Sequence, residues 1–361
     1  MADLALNALV DRVRAARADK TALNISGGNT KAFFGEAPRG EPLDVRPLAG
    51  ISSYEPSELV VTVRAGTPLA ELEAALAEQG QCLPFEPPRF APGGTVGGMV
   101  AAGLSGPARA AVGGVRDYVL GATLLNGRAE VLSFGGQVMK NVAGYDVSRV
   151  LAGSMGVLGV ICEVSLKVLP VAVASTTLRF ERDEAAAIKQ LNTWGGQPLP
   201  ISASAWWDGM LVLRLSGAAA AVQSATQKLR GEVVDPALAA GFWTGLRDQT
   251  DEFFAKAQTA VAAGATLWRL SVAATTPPMA LPGEHLVEWG GAQRWVVTTA
   301  AAAVVREAAA RAGGHATAFR GSKADGALAP LSAPLARIHR GMKTAFDPER
   351  IFNPGRLYPD L

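Results

Sequence analysis

The residues of this chain best placed to do chemistry are paired glycines. They stand at positions 27–28, 93–94, 97–98 and 113–114, and Gly153, Gly156 and Gly159 follow as a spaced triplet. Sixteen of the forty glycines fall between Gly93 and Gly159. Glycine loses more backbone entropy on folding than any other residue, so this density calls for compensation. A backbone that approaches a ligand closely, with its N–H groups turned toward phosphate oxygens, would supply it. Pairs in several loops suit an extended ligand such as a dinucleotide. Glycine-rich bends in an alanine-rich fold would leave the same pattern without any ligand. Two common nucleotide motifs are excluded. The chain contains no Gly-x-Gly, hence no Rossmann fingerprint, and no Gly-Lys-Ser/Thr, hence no P-loop.

Metal and thiol chemistry find little support. His285, His315 and His339 are the only histidines. None has a neighbouring carboxylate at ligand spacing, so no metal site is expected. Cys82 and Cys162 make neither a metal pattern nor a disulfide framework. Each reads as a small buried apolar residue in a reducing compartment.

The elements that must position the glycines follow from periodicity and punctuation. Residues 4–19 have helical apolar spacing, and 21–25 form a short strand running into the turn Ser26-Gly27-Gly28-Asn29-Thr30. Strands are expected at 43–45 and 59–63. Thr67 is placed to N-cap a helix over 69–79, with Pro68 as its first residue. Residues 119–125 and 130–134 read as a hairpin through Asn126-Gly127, and 157–168 as a strand. Beyond Pro170 the glycines thin. Strands at 176–180, 202–206, 211–215, 267–273, 294–297 and 317–319 alternate with helices at 183–194, 219–229, 236–258 and 299–312. This pattern predicts a second α+β domain with an antiparallel sheet.

The chain of 361 residues is 49% hydrophobic and 18% charged, with a net charge of +2, so it can bury a large core and shows no nucleic-acid-binding face. The N-terminus lacks a signal-peptide pattern and no apolar run reaches spanning length. A cytoplasmic protein is expected, held at the inner face of the membrane, if at all, through partners.

Several segments in fixed order carry a resemblance. SGGNT (26–30), YEPSELVVTVRAGT (54–67), LPFEPP (83–88), PGGTVGGMVAAGLSGP (92–107), GGVRDYVLGATLLNG (113–127), KNVAGYD (140–146), GSMGVLGVICEVSLKVLP (153–170) and FDPERIFNPGRL (346–357) are similar to the vanillyl-alcohol oxidase type of FAD-dependent oxidoreductase. The likeness covers about residues 20–170 and the last fifteen. The KNVAGYD segment and the proline-rich turn resemble most the FAD-binding subunits of glycolate oxidases.

The resemblance implies an α+β chain: a two-subdomain FAD-binding domain of the PCMH type at 1–170, an α+β cap domain at 171–330, and a segment at 331–361 that returns to the first. It implies that Ser26, Gly27, Gly28, Asn29 and Thr30 cradle the FAD pyrophosphate. A second cradle would be Pro92, Gly93, Gly94, Thr95, Val96, Gly97 and Gly98. Gly103, Leu104, Ser105 and Gly106 would pass along the ribitol and isoalloxazine. Gly153, Ser154, Gly156, Gly159 and Val160 would meet the adenosine half, while Asn353 and Arg356 return to the flavin domain. Arg116 and Asp117 match a cofactor segment, or pair with each other.

Lys140, Asn141, Tyr145 and Asp146 fall in the segment that faces the flavin ring in the resembled fold. There Lys140 would stabilise developing negative charge. Arg320, Lys323 and Arg340 are candidate cations for a substrate carboxylate. The SGGNT turn has no histidine or cysteine, so noncovalent FAD is expected. The implied function is that of an FAD-binding subunit oxidising glycolate to glyoxylate. Its implied partners are a larger flavin subunit and an iron–sulfur subunit that takes the electrons. A free-standing oxidoreductase of another small hydroxyacid or alcohol, and a noncatalytic FAD-bearing scaffold, are the alternatives.

Overall fold

The computed structural model describes residues 3–136 and 146–361. The chain is α+β and divides into two compact units. One comprises Met1–Leu104, Gly114–Pro170 and Pro330–Leu361, and the other Ser105–Gly113 and Val171–Ala329. Residues 105–113, inside the first domain expected from sequence, thus belong to the second unit.

The first unit is built on an antiparallel sheet in the order Ile51–Glu55, Val60–Arg64, Val160–Lys167, Val119–Leu125, Val131–Gly135. Its central strand, Val160–Lys167, serves two cores, which explains why its apolar residues alternate only in part. Ile161, Val164 and Leu166 pack with Leu69, Leu72, Leu76, Val96, Met99 and Val100. Val160 and Cys162 pack with Leu9, Val13, Leu23, Ile351 and Phe352. Strands Leu23–Ser26 and Glu41–Asp44 form a separate parallel pair. The tail joins it through a bridge from Leu23 to Phe352. The C-terminal motif is therefore part of the core beside the first glycine turn.

Three local expectations are corrected, and one element appears where none was expected. Thr67 does not cap the Leu69–Glu78 helix, whose N-cap is Pro68; its hydroxyl instead accepts from the Gly50 amide at 2.9 Å. Within the glycine field, Val96–Ala102 is a helix, because Thr95 supplies the N-cap by accepting from the Gly98 amide at 3.2 Å. The hairpin forms, but its loop runs from 126 to 130. Asn126 Oδ1 accepts from the Arg128 and Glu130 amides, and Gly127 donates to the Phe346 carbonyl at 2.8 Å. The helix expected over 236–258 is two, Pro236–Asp248 and Glu252–Ala262. The first ends at left-handed Gln249, and Asp251 caps the second.

The second unit carries an eight-stranded antiparallel sheet in the order Glu232–Val233, Ala174–Glu181, Met210–Gly217, Ile201–Trp207, Glu284–Glu288, Gln293–Thr298, Thr266–Ser271, His315–Arg320. Helices Glu184–Gly195 and Ala219–Leu229 cover one half, and Ala302–Arg311 the other. The strand Glu284–Glu288, missed in the sequence, joins the halves by pairing with Ile201–Trp207 and Gln293–Thr298. Trp289 Nε1 donates to the Gly106 carbonyl at 3.1 Å, and the Arg109 guanidinium lies 5.0 Å from the Trp289 ring. These contacts hold 105–113 to the second unit. Among the described residues no helix is long and apolar enough to cross a membrane.

Candidate cofactor site

The first wall of the site is the turn after strand Leu23–Ser26. Its parallel pairing ends at Ser26 opposite Asp44, and the chain then runs through Gly27 and Gly28. Among the described residues, the amides of Gly27, Gly28, Asn29 and Thr30 have no protein acceptor. A Cβ on Gly28 would lie 1.6 Å from the Gly93 carbonyl oxygen, and one on Gly27 2.5 Å from Thr95 Oγ1. The two glycine pairs are therefore packed backbone to backbone, and only residues without a Cβ permit it.

The second wall is the start of the Val96–Ala102 helix. Gly97 donates to the Ala65 carbonyl at 2.7 Å and Val96 to that of Thr67 at 3.0 Å. The third is the loop before the central strand. Met155 and Gly153 donate to the carbonyls of Ala101 and Val100 in that helix. Gly156 adopts φ +75°, and a Cβ there would sit 2.6 Å from Asn353 Nδ2.

The tail closes the cleft. Asn353 Oδ1 accepts from the Ile25 amide at 2.7 Å, and its Nδ2 donates to the Met155 carbonyl at 2.6 Å. One side chain thus ties the first turn to the third wall. Arg356 is 5% exposed. Its Nη2 donates to the carbonyls of Ala32, at 2.9 Å, and Lys31, at 3.4 Å. Its Nη1 is buried and has no hydrogen-bond partner among the described residues. Burial pulls the guanidinium down to about 10, which still leaves it cationic at neutral pH.

Asn24, Ser26, Gly27, Gly28, Asn29, Thr30, Thr95, Gly97, Gly98, Gly156, Gly159, Asn353 and Arg356 line one cleft of about 810 Å³, part of it open to solvent. Lys31 joins them, its ammonium 5.6 Å from the Phe90 ring. Among the described residues no carboxylate lines this cleft, while the cations Lys31 and Arg356 do. Val45, Ala65, Ala101, Ala102, Met155 and Ile161 give it apolar surface. Sequence reasoning missed Lys31, although it directly follows the SGGNT turn, and weighed N–H donors above cations.

Other expected residues stand elsewhere. Pro92, Gly93, Gly94, Val96, Gly103, Leu104, Gly153, Ser154 and Val160 do not line the cleft. Gly93 backs Gly28, Gly103 caps the Val96–Ala102 helix, and Val96 and Val160 are fully buried. Ser105 and Gly106 belong to the second unit. Arg116 and Asp117 are exposed. Asp117 caps its own short helix by accepting from the Gly114 amide at 2.8 Å, and no ion pair with Arg116 is found among the described residues. Lys140, Asn141 and Tyr145 lie outside the described residues, and Asp146 pairs with Arg149 at 3.2 Å. Arg340 pairs with Asp360 at 2.9 Å, and Arg320 Nε lies 3.4 Å from Gln249 Oε1 in the second unit.

A family model described as an FAD binding domain matches residues 6–135. Glycolate oxidase subunit GlcE of Escherichia coli (strain K12) is 49% identical over 354 residues, 98% of this chain and 97% of that protein. The chain belongs to the GlcE family of glycolate oxidase subunits. It is an FAD-dependent oxidoreductase of that family, and its cofactor is FAD. More distant relatives match over part of their length. D-lactate dehydrogenase of Anaerostipes hadrus is 32% identical over 148 residues, 40% of this chain and 30% of that protein. Glycolate oxidase subunit GlcD of Bacillus subtilis is 29% identical over 165 residues, 45% of this chain and 35% of that protein. Among solved structures, alkyldihydroxyacetonephosphate synthase has the same fold with a TM-score of 0.66 at 14% identity, covering 96% of this chain and 74% of that one.

The cleft of this GlcE-family chain fits the FAD diphosphate. Among the described residues, amides without protein acceptors, a buried guanidinium with an unused donor and a lining free of carboxylate are what a pyrophosphate needs.

Proposed function

We propose that this chain holds FAD noncovalently in the cleft and serves as one flavin subunit of a complex that oxidises glycolate to glyoxylate. Beside it stand a larger flavin subunit and an iron–sulfur subunit that receives the electrons, and the assembly sits at the cytoplasmic face of the membrane. The observation that carries the cofactor assignment is Arg356 Nη1, buried at the cleft without a partner. The printed names of GlcE and GlcD as subunits of glycolate oxidase support the rest.

Conversion of a 2-hydroxyacid to a 2-oxoacid removes two electrons and two protons, and FAD when bound accepts the electrons. In this reading, the amides of 27–30 and the Arg356 guanidinium fix the diphosphate. Asn353 holds the turn and the third wall in register. Ala65, Ala101 and Ile161 exclude water from one side. Noncovalent attachment is supported by the lining, which contains neither cysteine nor histidine among the described residues. Cys162 is buried in a core, where desolvation pushes its thiol up to about 12 and keeps it an unreactive neutral group.

Hydroxyacid oxidation itself fits the larger flavin subunit better, since among the described residues the cleft lining offers no histidine base for the hydroxyl proton, and Arg340, one candidate for the substrate carboxylate, is paired with Asp360. Anaerobic glycolate added to the purified chain and to the assembled complex tests this. Bleaching of the flavin band in the complex, but not in the chain alone, is expected. Rapid bleaching in the chain alone would place the reaction here, and a chain without any flavin band would overturn the cofactor assignment.

A further inference from the structure

Lys343 and Asp347 form an ion pair in which neither side chain is exposed. Lys343 Nζ donates to Asp347 Oδ2 and to the carbonyls of Val157 and Phe352, each at 2.8 Å. Three ammonium donors thus meet three acceptors. Asp347 also accepts from the amides of Ile351 and Phe352, at 3.1 and 2.8 Å. Both ends of this network touch the cleft's framework. Val157 lies next to Gly156 in the third wall, and Phe352 precedes Asn353.

We infer that the Lys343–Asp347 pair is a positioning device for the cofactor, setting Asn353 and Arg356 in the cleft so that FAD affinity depends on it. The inference rests on the reading that FAD occupies this cleft. A buried ion pair contributes little net stability over well-packed apolar residues, whereas breaking one partner away is costly. What this pair adds is geometry. Its two carbonyl bonds fix the tail against the 155–159 loop, and its two amide bonds fix the turn that leads into Asn353. An apolar pair of equal volume would bury the tail without setting that register. Lys343 touches no lining atom itself and acts through Asn353 and Arg356.

The test is a double-mutant cycle on the full chain, reading FAD affinity by quenching of flavin fluorescence, with far-UV circular dichroism and the apoprotein melting temperature as fold controls. The variants are Lys343→Gln, Lys343→Met, Arg356→Ala and each Lys343 variant combined with Arg356→Ala. Lys343→Gln is expected to weaken FAD roughly tenfold alone and far less in the Arg356→Ala background, because coupled residues are non-additive. A purely structural role would give effects that multiply, and that result, or a wild-type Kd for Lys343→Gln, overturns the inference. Wild-type affinity in Arg356→Ala would instead overturn the reading of the cleft, and the inference with it. Should neither Lys343 variant fold, hydrogen exchange on the wild type decides. FAD should slow exchange at Ile351, Phe352 and Asn353 more than at Val61 and Val164, and equal slowing overturns the inference.

Discussion

The carbonyl oxygen of Gly93 occupies the space that a Cβ on Gly28 would need, with 1.6 Å between the two positions. Two glycine pairs, more than sixty residues apart in sequence, thus share one contact. Gly28→Ala is expected to force the two loops apart and to lower FAD affinity strongly. The cost of overpacking at such a contact is about 1–3 kcal/mol. Flavin content after purification and the Kd for added FAD measure it. An alanine variant with wild-type flavin content would show that the loops yield without consequence.

Arg356→Gln removes the charge and the unused Nη1 donor while keeping a polar side chain. Hydrogen bonds to charged groups contribute about 1.5–3 kcal/mol, so FAD should bind roughly ten- to a hundredfold more weakly. The loss should be nearly independent of salt, because a charge as buried as Arg356 is screened little. Isothermal titration at two ionic strengths reads both effects. A wild-type Kd at both ionic strengths would remove Arg356 from the diphosphate site.

Acid precipitation distinguishes noncovalent from covalent cofactor. Flavin is expected in the supernatant, with the pellet colourless. In the native protein Cys162 should resist alkylation, since burial holds its thiol near 12. Mass spectrometry after brief treatment with iodoacetamide checks this. Flavin retained on a cysteine-containing peptide would contradict the prediction.

Asp251 offers a pH test confined to the second unit. Burial raises its carboxyl from the usual range to about 6. The folded state therefore favours the protonated form. Its stabilising contribution is complete below the unfolded value of about 3.9 and is lost as pH rises through about 6. The melting temperature of the wild type relative to Asp251→Asn should accordingly fall between pH 4 and pH 7. A difference that stays constant across that range would rule out the burial effect.

Much of the framework was legible because its signals are local. The β-branched run at Val60–Arg64, the apolar spacing of Leu4–Asp19 and the alternation beyond Pro170 each report their own element. The first glycine turn and the terminal Asn353 and Arg356 were legible as motifs, and they meet in one cleft. What escaped depends on distant partners. Asn126-Gly127 reads as a hairpin signal between strands at 119–125 and 130–134. Its loop is set by the Asn126 side chain and by the tail, since a Cβ on Gly127 would lie 2.4 Å from Asp347 Oδ1. Lys343, in the last turn of the Ala333–Phe346 helix, and Asp347, its C-cap, carry no local signal of burial. They are buried because the tail folds onto the 155–159 loop, an event no local window records. Lys31 shows no glycine or aromatic signature, and only the folded turn brings it beside Arg356.

In this reading the chain itself holds FAD between the Gly27–Gly28 turn and the Arg356 tail. The most direct measurement is titration of the flavin-free chain with FAD, with riboflavin as the comparison lacking a diphosphate. One FAD per chain is predicted, together with much weaker binding of riboflavin and a smaller difference between the two in Arg356→Gln. Equal affinity for FAD and riboflavin, or no binding of FAD by the folded chain, would contradict the account.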